Sequence, residues 1–201
     1  MTLREKYGEW GIILGATEGV GKAFCERLAK EGMNVVMVGR REEKLKELGE
    51  ELKNTYEIDY KVVKADFSLP DATDKIFAAT ENLDMGFMAY VACLHSFGKI
   101  QDTPWEKHEA MINVNVVTFM KCFYHYMKIF AAQDRGTVIN VSSMTGISSS
   151  PWNGQYGAGK AFILKMTEAV ACETEKTNVD VEVITLGTTL TPSLLSNLPG
   201  G

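Results

Sequence analysis

The chain has 201 residues, 45% of them hydrophobic, with a formal net charge of −5. That is enough apolar material for one sizeable core and too little chain for a second independent one, so residues 1–201 are expected to form a single domain. The negative charge excludes a protein that coats nucleic acid with a basic surface.

The opening "MTLREKYGEWG" is charged and has no leader-like apolar stretch, and no apolar run approaches the ~18 residues of a membrane span. "WGIILG" (10–15) reads as a strand, followed by a glycine-rich turn and a helix over "VGKAFCERLAKEG". In that helix Val20, Phe24 and Leu28 recur on one face and Gly32 supplies the stop. The turn spaces Gly15, Gly19 and Gly21 as G-x-x-x-G-x-G. Such glycines let the backbone approach a pyrophosphate closely while the helix N-terminus offers free N–H groups. Many turns of this kind only join a strand to a helix, but a strand before and a helix after favour a dinucleotide site.

"NVVMVG" (34–39) is a second, buried strand. NAD-binding proteins hold an acidic residue at its end to grip the ribose 2′-hydroxyl. Here Gly39 stands there, followed by Arg40 and Arg41. The missing carboxylate removes repulsion toward a 2′-phosphate and two guanidiniums can pair with its oxygens, so NADP(H) is favoured over NAD(H). In the competing arrangement the arginines are solvated or pair with Glu42 and Glu43, with Glu18 adding negative charge nearby.

"REEKLKELGEELKNTY" (41–56) buries Leu45, Leu48 and Leu52 and solvates its charges. "YKVVKADF" (60–67) is the third strand, and "DATDKIFAATENL" (71–83) a helix N-capped near Asp71. "GFMAYVAC" (86–93), "GTVINVSS" (136–143) and "VDVEVITL" (179–186) add three more strands, apolar enough to be covered on both faces. Strand and helix alternate throughout, which predicts a parallel sheet with right-handed crossovers and helices on both sides. Between the fourth and fifth strands, 113–133 is apolar around most of a helix except for a stripe of Thr118, Lys121, His125 and Lys128. Such a helix needs a second surface to cover it, and a second copy of the chain is the natural one, a long helix packed within one domain being the other. Cys25, Cys93, Cys122 and Cys172, like His95, His108 and His125, lack metal-ligand spacing, so no metal site is expected and the thiols fit a soluble cytoplasmic protein.

"SSMTGISSSPWNGQYGAGK" (142–160) carries the candidate chemistry. A helix starting near Gln155 puts Tyr156 and Lys160 on one face. A tyrosine, with a pKa of about 10, is a poor base near neutrality. A lysine ammonium one turn along lowers that pKa, and the Ser143 hydroxyl at the end of the fifth strand holds a substrate oxygen opposite. Ser142 points the other way, and Ser148, Ser149 and Ser150 belong to the loop. Gly157 and Gly159 are costly in a helix start; close approach of a ligand justifies them, or helix packing does.

The G-x-x-x-G-x-G turn with Ser143, Tyr156 and Lys160 resembles the short-chain dehydrogenase/reductase family, in order from about Trp10 to Thr191. The resemblance implies a Rossmann-like doubly wound parallel α/β sheet in the order 3-2-1-4-5-6. It implies a cofactor site of Gly15, Thr17, Glu18, Gly19, Val20 and Gly21 at the turn, and Arg40 and Arg41 at the 2′-phosphate. Asp66 and Phe67 would meet the adenine, with Ala92, Tyr156, Lys160, Thr189 and Thr191 toward the nicotinamide. Asp66 as a simple turn residue is the alternative. Asn115 matches the family's fourth catalytic position, where a kinked helix holds a water that passes protons to the lysine; Asn113 lies one step too early.

Within the family, "GEWGIILGATEGVGKAF", "YVACLHSFGKIQDTPWEKHEAMINVNVV", "VINVSSMTGISSSPWNGQYGAGKAFILKMTEAVACE" and "VEVITLGTTLTPSLLSNLPGG" are similar to the NADPH-dependent 7β-hydroxysteroid dehydrogenases of gut bacteria. That implies a bile-acid substrate, with 7-oxolithocholate and ursodeoxycholate interconverted, and a homodimer or homotetramer. Leu94, His95, Phe97, Met144, Trp152 and Asn153 are candidate substrate contacts by loop position, Trp152 serving equally as an anchor of its own loop. A reductase of another carbonyl, at a different steroid position or on a 3-oxoacyl thioester, and a non-catalytic NADP-binding protein are the alternatives.

Three features depart from the family. "YVAC" (90–93) replaces Asn-Asn-Ala-Gly, so the floor of the cofactor site must be held differently. Leu186 and Gly187 replace Pro-Gly, with Thr188, Thr189 and Thr191 still available to the nicotinamide amide. Residues 1–201 do not include the family's substrate-covering segment and last strand beyond "LPGG".

Overall fold

The computed structural model describes residues 1–148 and 150–189. Its elements run α1 (Leu3–Tyr7), β1 (Trp10–Leu14), α2 (Gly19–Lys30), β2 (Asn34–Gly39), α3 (Glu42–Tyr56), β3 (Tyr60–Lys64), α4 (Ala72–Thr80) and β4 (Met85–Tyr90). They continue through α5 (Trp105–Ile112), a π-helix (Asn113–Thr118), α6 (Phe119–Gln133), β5 (Gly136–Ser143), α7 (Gly154–Glu173) and β6 (Val179–Leu186). All the strand pairs are parallel, in the order β3-β2-β1-β4-β5-β6, as the resemblance implies.

Alternation along β1 divides the core in two. Ile12 and Leu14 face a layer that includes Phe119, Phe123, Tyr126 and Phe130 of α6 and Ile163 of α7. Ile13 faces the opposite layer, with Leu28 of α2 and Leu45, Leu48 and Leu52 of α3. Every residue of β2 and β4 is buried, which is why these runs lack a polar alternation. Strand order reverses between β2 and β4 on either side of β1, and a crevice opens beyond the carboxyl ends of the strands at that switch.

Several local expectations change. β3 ends at Lys64, because the Asp66 carboxylate folds back to accept from the Ser68 N–H at 3.0 Å and from its hydroxyl at 2.7 Å. Asp71 does stand at the N-cap of α4, yet its side chain makes no cap bond and pairs with Lys75 at 2.7 Å. The stripe on 113–133 is only half right: Lys121 and Lys128 are exposed, but Thr118 is buried and donates to the Phe67 carbonyl at 2.8 Å. His125 is half-buried and stacks on Phe77. Thr118 is the last residue of the π-helix and the other three lie on regular α6, so the stripe is interrupted by tertiary partners, the Phe67 carbonyl and the Phe77 ring.

Candidate active site

A cleft of about 510 Å3 occupies the crevice. The turn that enters it depends on two absent side chains. A Cβ at Gly21 would lie 1.9 Å from the Gly15 carbonyl oxygen, and one at Gly15 would lie 2.7 Å from the Ala92 nitrogen. Gly21 therefore acts from behind the cleft, by letting the turn fold tightly, while Gly15, Thr17, Glu18, Gly19 and Val20 line it. Glu18 precedes α2 without a side-chain cap bond, so its carboxylate does not occupy the N–H groups of the first turn. These open donors and the close backbone fit a dinucleotide pyrophosphate.

The floor that "YVAC" leaves without its asparagines is held by main chain. The N–H groups of Val91 and Ala92 both donate to the Leu14 carbonyl, at 2.9 and 2.7 Å. Arg40, Arg41, Asp66, Phe67, Ala92 and Thr189 also border the cleft, and Thr191 lies outside the described residues. Arg41 is exposed but is not on Glu42 or Glu43: it pairs with Glu18 at 2.8 Å, while Lys46 engages Glu42 and Glu43 at 2.9 and 3.3 Å. Asp66 borders the cleft and is also a turn residue.

Ser143, Tyr156 and Lys160 meet at the other end of the cleft. The Ser143 oxygen accepts from the Thr145 N–H at 3.2 Å and the Thr145 hydroxyl at 3.0 Å. Both acceptor positions are then used, and the remaining serine proton is free to be donated. Ser143 stands near the Tyr156 phenol and favours its ionised form. Burial outweighs that effect and, with Cys93 nearby, raises the Tyr156 pKa well above its ordinary value.

The expected lowering of the Tyr156 pKa by Lys160 is thus reversed. Lys160 is 1% exposed, its ammonium donates to the Val141 carbonyl at 2.7 Å, and it sits 5.8 Å from the centre of the tyrosine ring. Its own pKa is lowered by the same desolvation, partly opposed by Cys93. Ser142 also borders the cleft, but its hydroxyl donates to the Lys160 main-chain carbonyl at 2.8 Å.

Gly157 and Gly159 serve helix packing. A Cβ at 157 would meet the Thr145 carbonyl at 2.7 Å, and one at 159 would meet the Asn115 Cβ at 2.9 Å. The second contact puts Asn115 of the π-helix against α7, next to Lys160. Its amide oxygen accepts from the Leu94 N–H at 3.0 Å and its amide nitrogen donates to the Leu94 carbonyl at 2.6 Å, which leaves one amide hydrogen and one oxygen lone pair of the side chain without a partner in these two bonds. Asn113 instead donates to the Ser68 carbonyl.

Of the expected substrate contacts, Leu94, His95, Phe97, Met144 and Asn153 line the cleft. Trp152 does not; it is 65% exposed and its carbonyl accepts from the Gly98 N–H at 2.9 Å, tying its loop to the one after β4. His95 packs edge-on to Tyr156, and burial followed by the Lys160 charge lowers its pKa, so it is held neutral. Sequence reasoning missed Thr145, although a threonine two positions after a strand-end serine is a recognisable local capping pattern. It also missed the Val141 carbonyl, for which the sequence carries no signal.

Residues 9–198 match the short chain dehydrogenase family. The chain is 84% identical over 201 residues to a 7beta-hydroxysteroid dehydrogenase of Collinsella aerofaciens, covering 100% of this chain and 76% of that one. It is 45% identical over 199 residues to a 7beta-hydroxysteroid dehydrogenase of Clostridium sardiniense, covering 99% and 76%. A solved structure from work on 7beta-hydroxysteroid dehydrogenase stereoselectivity superposes with a TM-score of 0.96 at 84% identity, over 100% of this chain and 78% of that one. A Rossmann-like sheet in the order 3-2-1-4-5-6, a glycine turn at its switch point and these relatives agree: the chain belongs to the short chain dehydrogenase family, oxidoreductases that use nicotinamide cofactors.

Proposed function

We propose that this enzyme is an NADP(H)-dependent 7β-hydroxysteroid dehydrogenase that interconverts 7-oxo and 7β-hydroxy bile acids. The observation that carries the reading is the 84% identity along the whole chain to the Collinsella aerofaciens 7beta-hydroxysteroid dehydrogenase. The cofactor would lie along the cleft from Arg40 and Arg41, past the α2 turn, to Lys160 and Thr189. When bound it supplies or accepts the hydride.

The chain's own residues handle the proton and the oxygen. Tyr156 gives a proton to the oxygen of the reduced carbonyl, or takes it back in oxidation. Burial keeps the phenol protonated, which supports its use as an acid in the reductive direction. The free proton of Ser143 steadies the substrate oxygen as negative charge develops there. Lys160 presents a buried ammonium to the cofactor ribose, and Asn115 holds the loop after β4 against α7. Leu94, Phe97 and Met144 offer the flat apolar wall that a steroid needs.

The same reading places the enzyme in the cytoplasm as a homodimer or homotetramer. Among the described residues four cysteines are free and no helix is long and apolar enough to cross a membrane. Trp105, Val117 and Tyr124, on α5, the π-helix and α6, are exposed large apolar side chains that a second copy would cover. The deciding experiment follows NADPH oxidation with 7-oxolithocholate and with unrelated ketones, then determines product stereochemistry. A 7β-hydroxy product is expected; a 7α product, or turnover confined to other ketones, overturns the substrate assignment.

A further inference from the structure

We propose that Glu18 sets the strength of 2′-phosphate recognition by competing with the phosphate for Arg41, an inference that rests on the NADP(H) reading above. The turn after β1 and the end of β2 are pressed together: a Cβ at Gly39 would lie 2.7 Å from the Thr17 hydroxyl oxygen. That approach brings the residue before α2, Glu18, within 2.8 Å of the residue before α3, Arg41. Glu18 makes no side-chain cap bond to α2, so its carboxylate is committed to the arginine. The acidic residues that follow Arg41 do not substitute for it, since Lys46 engages both Glu42 and Glu43.

Glu18, Arg40 and Arg41 all border the cleft, and Arg40 has no ion pair among the described residues. A ligand with a 2′-phosphate meets one arginine ready and one already held. To gain the second it must displace a carboxylate, and that carboxylate stays close enough to repel it. A ligand with a bare 2′-hydroxyl has no need of Arg41 and incurs no such penalty. Glu18 therefore narrows the preference for the phosphorylated cofactor, in opposition to the two arginines that create it. The pair is half-exposed, so the effect is bounded by what surface ion pairs contribute, up to about fivefold in an equilibrium.

The test is calorimetric binding of adenosine 2′,5′-bisphosphate and of 5′-AMP to the wild type and to Glu18→Gln, which keeps the shape and removes the charge. Glu18→Gln is expected to tighten the bisphosphate by about three- to fivefold and 5′-AMP by clearly less. In an Arg41→Ala background the same substitution is expected to lose its selective effect, because the contested group is gone. No change, an equal gain for both ligands, or weaker bisphosphate binding overturns the proposal; the last would make Glu18 a support that holds Arg41 in place for the phosphate. Wild type that binds both ligands equally overturns the NADP(H) reading itself, a separate result from any effect of Glu18.

Discussion

The two ends of the cleft solve their problems by opposite means. At the cofactor end the geometry comes from main chain and missing side chains, and the charged groups Glu18, Arg40 and Arg41 stay in contact with water. At the catalytic end the geometry comes from side chains, and the charged one, Lys160, is withdrawn from solvent almost completely. Charge left in water is inexpensive and adjustable by a neighbour, as the Glu18–Arg41 pair shows. Charge taken into the core is costly, and it takes β5, α7 and the π-helix together to hold it.

The contrast can be broken most severely at the catalytic end. Tyr156→Phe removes the proton donor and no packing, so turnover is expected to fall by about 10²–10⁴-fold while cofactor binding, followed by fluorescence titration, persists. Retained turnover would remove Tyr156 from the chemistry. At the cofactor end the comparable change is to the backbone fit: Gly21→Ala drives a methyl against the Gly15 carbonyl. We expect a loss of about 1–3 kcal/mol in denaturant unfolding and weaker dinucleotide binding. Unaltered binding with unaltered stability would show that the turn relaxes freely.

A smaller effect is expected where the charge is exposed. Gly39→Asp places a carboxylate at the 2′ position of the ribose and should shift preference from NADPH toward NADH by roughly tenfold, about 1.4 kcal/mol. Gly39→Ala is the control, because any side chain there also crowds the Thr17 hydroxyl. Unchanged Michaelis constants for both cofactors in Gly39→Asp would sink the NADP(H) assignment.

The smallest effect sharpens the buried side. Lys160 has a lowered pKa, so the folded state binds its proton less tightly than the unfolded chain does. The resulting penalty is present in full below the folded pKa and disappears as pH rises to the ordinary value of 10.5. Relative to Lys160→Met, the wild type should therefore gain stability between neutral pH and about pH 10 in paired denaturant titrations. A difference that stays constant or runs the other way would mean that Lys160 is effectively solvated.

Much of this was legible in the residues because it is local. The strand runs, the glycine turn and the Tyr156–Lys160 spacing each depend on a few consecutive positions. The failures were of another kind. Thr118 and His125 were misplaced because their partners, the Phe67 carbonyl and the Phe77 ring, come from remote segments. The Tyr156 pKa was misjudged because a spacing of four says that two side chains share a face, not how much solvent remains around them or where the ammonium points. Gly157 and Gly159 hinted at a close approach, but its partners, the Thr145 carbonyl and Asn115, come from other segments.

By itself the sequence determined the alternation of strands and helices, the glycine turn and which side chains are candidates for the chemistry, since those follow from local periodicity, glycine placement and residue chemistry. Tertiary structure alone decided the balance of charge: that Arg41 is held by Glu18, that Lys160 lies buried on the Val141 carbonyl, and that burial raises the Tyr156 pKa. Electrostatic strength depends on distance and desolvation, and both arise only when segments remote in the chain are brought together.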